Sequence, residues 1–270
     1  ISAHARAIAS RTNSPTLRAA SQELQHAITR MTGTAPALAA TPSAGALWLA
    51  TPDTAPALPV SLKALGPEGY AIRSIDQGGQ PVTLIAANSD IGVLHGVFHW
   101  LRLAQTGAPL DRLDIRSAPR IGLRLLNHWD NLDGTVERGY AGMSIWDWWR
   151  LPDYKGPRYT DYARANASIG INGTVLNNVN AKAESLSAPY IAKAAALADI
   201  FRPYGIKVYL SVKWTAPMEL DGLKTADPLD AQVAAWWKAK ASEIYRAIPD
   251  FGGFLVKANS EGQPGPQDYD

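Results

Sequence analysis

The chain has 270 residues, 46% hydrophobic and 19% charged, an ordinary globular composition with room for one large core or two domains. Its net charge of +2 comes from interspersed acidic and basic residues, so no basic run marks a nucleic-acid or membrane-surface binder, and no apolar stretch reaches the roughly 18 residues of a membrane span. The lack of cysteine excludes disulfides and thiolate metal sites but leaves the compartment open, with a periplasmic or secreted location favoured over the cytoplasm. The chain starts at Ile1 without a signal-peptide pattern, so its N-terminus is expected to be processed or incomplete.

Residues 1–115 are rich in Ala, Thr and Pro and hold only Trp48 and Trp100 among the nine tryptophans. Residues 14–31 read as an amphipathic helix, because Leu17, Leu24, Ile28 and Met31 recur at helical spacing. Residues 46–50 read as a buried strand. Residues 69–75 and 82–87 read as two further strands. Ser89 or Asp90 then caps a helix over 91–103. This predicts a small α/β domain over 1–115, with 106–119 as a linker.

From Arg120 the texture becomes strand, loop, helix, repeated. Strands are predicted at 122–126, 173–176, 207–212 and 253–256, and helices at 161–168, 189–202 and 232–248. Strands about 40 residues apart with helices between them indicate βα units and a parallel sheet. Right-handed crossovers put all the C-terminal strand ends on one face. Four such units are half of a (β/α)₈ barrel, which takes about 250 residues. Residues 116–270 are therefore expected to be the first half of a TIM barrel, cut from a longer polypeptide. An open four-stranded sheet with helices on both faces is the competing architecture.

Each predicted strand ends in polar residues, where parallel α/β proteins gather their chemistry. After the first come Asn127, His128, Trp129, Asp130 and Asn131. Trp129 offers a ring for stacking, and His128 and Asp130 can hydrogen-bond hydroxyls. A loop that packs its own Trp is the plainer alternative. In Trp146-Asp147-Trp148-Trp149, at least two rings are expected to be structural. After the second strand, Asn177, Asn178 and Asn180 supply amides for turns or for sugar hydroxyls. Lys213 and Trp214 close the third. Lys257, Asn259 and Glu261 close the fourth, in a loop rich in Gly and Pro. A carboxylic acid there, desolvated near rings, acts as a general acid; in solvent it is an ordinary glutamate. Lys257 needs an anionic partner, either Glu261 or an anionic substrate group.

Nine Trp and ten Tyr against four Phe suit sugar-binding clefts as well as core packing. His95 and His99 have metal-compatible helical spacing, but position 96 is Gly rather than the Glu of the zinc motif, so helix packing is the expected role. No Gly-rich phosphate or dinucleotide loop follows a strand, and no G-x-S-x-G elbow is present.

Three ordered motifs carry a resemblance. The first is Arg124-Leu125-Leu126-Asn127-His128-Trp129-Asp130-Asn131 with Gly139-Tyr140-Ala141-Gly142 and Ser144-Ile145-Trp146. The second is Ser168 to Gly173 with Asn177-Asn178-Val179-Asn180-Ala181, and the third runs from Gly253 to Pro266. Together they resemble the α-glucuronidases of glycoside hydrolase family 67 over residues 119–270. The first 115 residues fit more loosely, as the small domain preceding the barrel in this family and in β-hexosaminidases.

The resemblance implies an inverting enzyme without metal or cofactor. Its substrates would be acidic xylo-oligosaccharides (aldouronic acids), from which it would release α-1,2-linked glucuronic acid or its 4-O-methyl ether. It assigns Glu261 as general acid, Lys257 to the uronate carboxylate, Trp129 to the sugar site and Val179 to the 4-O-methyl pocket. Asn178, His128, Asp130 and Asn259 complete the candidate binding set. The full-length protein is expected to be a homodimer, with no nucleic-acid or membrane partner. The family's catalytic base comes from later strands, and the chain ends at Asp270, nine residues after Glu261. It is therefore expected to hold half of an active site. Two alternatives stay open. One is a β-hexosaminidase-like glycosidase, although Ser260 breaks that family's Asp-Glu pair. The other is a non-catalytic carbohydrate-binding half-barrel.

Overall fold

A computed structural model describes residues 1–11, 14–180 and 182–257. The chain divides into two compact units. The first takes in residues 1–122, 167–170 and 203–205, and the second 123–166, 171–202 and 206 onward. Among the described residues no helix is long and apolar enough to cross a membrane.

The first unit is built from β1 (Ala7–Ala9), α1 (Pro15–Thr32), β2 (Ala37–Ala39), β3 (Ala46–Ala50), β4 (Tyr70–Asp76), β5 (Pro81–Ala87), α2 (Asp90–Gln105) and β6 (Asp114–Ser117). Its six strands lie in the order β2-β1-β3-β5-β4-β6. The first four are parallel to one another, while β4 runs antiparallel to both β5 and β6. Serines cap both helices, and Ser89 is one of the two caps expected for α2. The Ser14 hydroxyl accepts from the Leu17 N–H at 3.2 Å, and Ser89 accepts from Gly92 at 3.2 Å, each satisfying an orphan donor of the first turn. Leu17, Leu24 and Ile28 form the buried stripe of α1. On the sheet, Ala50, Ala71, Leu84 and Ala86 pack with Val60, Leu62 and Leu65 of the connection between β3 and β4.

Three strands were not foreseen. β1 and β2 are Ala-rich triplets with no alternation to read. β6 lies inside the segment expected to be a linker, where it pairs Ser117 with Tyr70 and Asp114 with Arg73. Helix α2 explains the histidine pair. A Cβ at Gly96 would stand 2.6 Å from Ile85 Cγ2, so the glycine that breaks the zinc motif lets α2 approach β5 closely. His99 Nδ1 shares a 2.8 Å hydrogen bond with the Tyr70 hydroxyl, and His95 Nδ1 lies 3.3 Å from the Glu68 carbonyl.

The second unit contains β7 (Leu125–Asn127), α3 (Pro157–Ser168), β8 (Gly173–Val175), α4 (Ala188–Phe201), β9 (Lys207–Ser211), α5 (Ala216–Asp221), α6 (Ala231–Ala247) and β10 (Gly253–Leu255). Its four strands are all parallel and adjacent in chain order, β7-β8-β9-β10, as βα units require. Helix α3 begins four residues earlier than expected, at Pro157, whose fixed φ suits a first turn. The short helix α5 was not foreseen.

Asparagines clip both ends of this sheet. At the N-terminal end the Asn172 side chain accepts the Arg124 N–H at 2.9 Å, its N–H donates to the Arg124 carbonyl, and its carbonyl accepts from Lys207. Beside it, the Tyr209 ring fills space that only glycines leave open. A Cβ at Gly173 would meet Leu125 at 2.2 Å and Tyr209 at 2.7 Å, and one at Gly252 would meet Tyr209 at 2.2 Å.

Candidate active site at the strand ends

The C-terminal ends of β7, β8, β9 and β10 carry most of the residues singled out from the sequence. Beneath them lies a knot of rings. Trp146 is fully buried, with its indole N–H on the Leu176 carbonyl at 3.0 Å. It packs edge-on against His128 and Tyr162, with Tyr159 and Phe201 alongside. Trp148 is buried too, whereas Trp149 is 64% exposed, so two rings of that triplet are structural.

His128 is held from both sides of its ring. Nε2 shares a 2.8 Å hydrogen bond with the Tyr162 hydroxyl, and Nδ1 faces Asp130 Oδ1 at 3.5 Å. The Tyr162 hydroxyl also meets Thr174 Oγ1 at 2.8 Å. Every group is satisfied if Thr174 donates to Tyr162, Tyr162 donates to Nε2, and the Nδ1 proton points at Asp130. Burial pushes the Tyr162 hydroxyl up to about 12; Thr174 opposes the shift and Asp130 adds to it. Tyr162 therefore stays a neutral donor. Asp130 is 3% exposed and accepts the Ser144 hydroxyl, so its carboxylate serves the protein.

Asn177 is the second clip of the sheet. Its side chain accepts the Ser211 N–H at 2.8 Å and donates to the Ser211 carbonyl at 3.1 Å, tying β8 to β9. Asn178 is 3% exposed and donates its amide to Asn131 Oδ1 at 3.0 Å and to the Glu137 carbonyl at 3.3 Å. Its own Oδ1 accepts the Asn180 N–H at 3.0 Å. Its side-chain polar atoms thus meet protein partners. Asn131 donates to the Glu137 carbonyl at 2.7 Å and to Thr135 Oγ1 at 2.9 Å. Glu137 takes φ +57°, a left-handed backbone that non-glycine residues adopt at a cost of about 1–3 kcal/mol. Its N–H donates to the Trp129 carbonyl at 2.8 Å.

A ring, an apolar side chain and a cation are part-exposed here. Trp129 is 37% exposed, and Val179 is half-buried between Asn178 and Asn180. Lys257, just after β10, is half-buried and donates from Nζ to Asn180 Oδ1 at 3.0 Å, while its carbonyl accepts the Trp214 indole N–H at 3.3 Å. Lys213 is engaged elsewhere, paired with Glu219 at 2.8 Å. Burial raises the Glu219 carboxyl, but hydrogen bonds from Lys213 and Thr215 outweigh it and hold the group below its ordinary value. Asn259 and Glu261 lie outside the described residues.

Asn131, Glu137, Ser144, Tyr162 and Thr174 were not singled out as functional. Their partners lie as far as 47 residues away, and no local spacing announces such pairs.

This combination, an α/β unit followed in the chain by a parallel βα sheet, is one found in glycoside hydrolases. A family GH115 4-O-methyl-α-glucuronidase, BtGH115A, with specificity for decorated arabinogalactans, superposes with a TM-score of 0.66 at 12% identity, over 98% of this chain and 37% of that one. A GH138 enzyme targeting pectin rhamnogalacturonan II superposes at 0.63 and 16% identity, over 94% and 30%. At these identities the likeness concerns the fold.

The chain belongs to glycosyl hydrolase family 67. The family's N-terminus matches residues 1–100 and its middle domain residues 103–270. A probable α-glucuronidase A of Aspergillus clavatus is 44% identical over 187 residues, 68% of this chain and 22% of that protein. Alpha-glucuronidase A of Emericella nidulans is 44% identical over 195 residues, 70% and 23%. The chain thus spans less than a quarter of the length of these relatives.

Proposed function

We propose that the whole protein is an inverting α-glucuronidase that removes α-1,2-linked glucuronic acid or its 4-O-methyl ether from acidic xylo-oligosaccharides. In this reading residues 1–115 are the small leading domain, of β-hexosaminidase-like type. The four βα units of 116–270 are the first half of a (β/α)₈ barrel, with the site at its C-terminal face. One observation carries the reading: a lysine ammonium just after β10 is oriented by the neutral amide of Asn180, whose neighbour in sequence is the apolar Val179. That combination suits a carboxylate on a partly apolar sugar.

The roles follow from the chemistry. Lys257 makes a charge-assisted hydrogen bond to the uronate. Trp129 packs on the sugar and Val179 meets the 4-O-methyl group. The buried His128, Asp130 and Asn178 keep these loops in register. Glu261 protonates the oxygen of the leaving xylose. With the substrate anion on Lys257, the Glu261 carboxyl has one cation fewer to hold it ionised, which favours the protonated acid. Inversion needs a second carboxylate about 6.5–9.5 Å from the first, with room for water between them. The reading places that base in the part of the relatives' length that this chain does not span.

Proton NMR of a fresh digest of an aldouronic acid by the full-length enzyme tests this. The β-anomer of the released uronate is expected first. The α-anomer first would exclude inversion, and no release would exclude the activity.

A further inference from the structure

We infer that Asn180 is a positioning residue that sets preference for an acid sugar, and that Asn131 and Asn178 are the mount that holds it. The inference rests on the assignment of Lys257 to the uronate. A lysine ammonium on its four-carbon stem has many rotamers, and ordering it on binding costs conformational entropy. Here it is ordered beforehand. Nζ donates to Asn180 Oδ1 at 3.0 Å, across 77 residues of sequence. Asn180 is fixed from behind, since its N–H donates to Asn178 Oδ1 at 3.0 Å. The Asn178 amide is anchored on Asn131 and Glu137, and the Asn131 amide on Glu137 and Thr135. A line of carboxamides from the loops after β7 and β8 thus ends on one cation after β10.

The last link is an amide, and that choice matters. A carboxylate at position 180 would orient Lys257 equally well but would cancel its charge. A carboxamide oxygen orients the ammonium without bringing a negative charge of its own to compete with a substrate anion.

The test uses the full-length enzyme. It compares KM for an aldouronic acid with the inhibition constant of the neutral α-glucosyl counterpart, and Lys257→Ala provides the reference. Asn180→Asp, which keeps the shape, is expected to raise KM for the acidic substrate at least about tenfold. Its kcat should stay within about twofold, and the inhibition constant of the neutral sugar should not change. Asn180→Ala should show the same selective loss in smaller degree, and it replaces Asn180→Asp in the comparison if the latter fails to fold. Equal losses on both sugars would make Asn180 a mere loop brace and overturn the inference, as would an unchanged KM. If Lys257→Ala treats both sugars alike, the uronate assignment fails and the inference falls with it. If Lys257→Ala discriminates and neither Asn180 variant does, the inference alone falls.

Discussion

At the N-terminal end of the four-stranded sheet, Asn172 bonds to backbone groups of Arg124 and Lys207; at the C-terminal end, Asn177 does the same with Ser211. The two clips are alike, but their surroundings differ. Around Asn172 the space is closed by Tyr209 lying over Gly173 and Gly252. Next in sequence to Asn177, a separate line of hydrogen bonds runs from Asn178 through Asn180 to the ammonium of Lys257. A polar residue at a strand end is therefore not in itself a sign of function. Asn172 and Asn177 both close on backbone; what distinguishes the C-terminal end is the neighbouring Asn180, whose side chain meets a charged group.

Substitutions at the two ends should separate these roles. The largest effect is expected at Glu261. In the full-length enzyme Glu261→Ala should lower kcat on aldouronic acids by about 10²–10⁴, the usual contribution of a general acid, with little change in melting temperature. Asn177→Ala comes next, although it sits at the functional end. It leaves a buried N–H and carbonyl of Ser211 unpaired and should cost about 2 kcal/mol or more of stability in denaturant titration. Gly173→Ala, at the other end, should cost about 1–3 kcal/mol by overpacking against Leu125 and Tyr209. Its kcat should be unchanged below the melting transition. A kcat loss there would break the contrast between the ends.

Smaller effects sharpen it. Trp129→Ala should raise KM about 2- to 10-fold, as loss of one stacking face does, and leave stability nearly untouched because the ring is part-exposed. The smallest concerns Lys213 and Glu219. The Glu219 carboxyl is held below its ordinary value, so the pair stabilises the fold above the unfolded carboxylate pKa. That contribution is lost as pH falls through the folded one. Since Glu219 is 41% exposed, the effect is small. Lys213→Met should flatten the fall in melting temperature between about pH 5 and pH 3. An unchanged slope would show the pair contributes nothing.

Much of the architecture was legible where patterns are long. The stripe of α1, the capping serines of α1 and α2, and the four strands of the second unit all stand in the residue order. The misses were short or lay on an edge. β1 and β2 are three residues each, and β6 is four residues with a single apolar side chain, Ile115, to mark its inner face. The site was legible in composition but not in roles. Of Asn177, Asn178 and Asn180 only Asn178 entered the candidate set, and no spacing separated their structural roles: Asn177 clips strands, Asn178 braces a loop and Asn180 meets the lysine. Their partners are 34 to 77 residues distant, and only the fold brings them together.

The central claim is that Glu261 supplies the proton to the leaving sugar. It is tested most directly by assaying Glu261→Ala in the full-length enzyme on two substrates: an aldouronic acid, and an aryl α-glucuronide whose acidic phenol leaves without protonation. The account predicts that the loss of about 10²–10⁴ on the xylo-oligosaccharide shrinks to within about tenfold on the aryl glucuronide. An equal loss on both, or near wild-type turnover of the aldouronic acid, would contradict it.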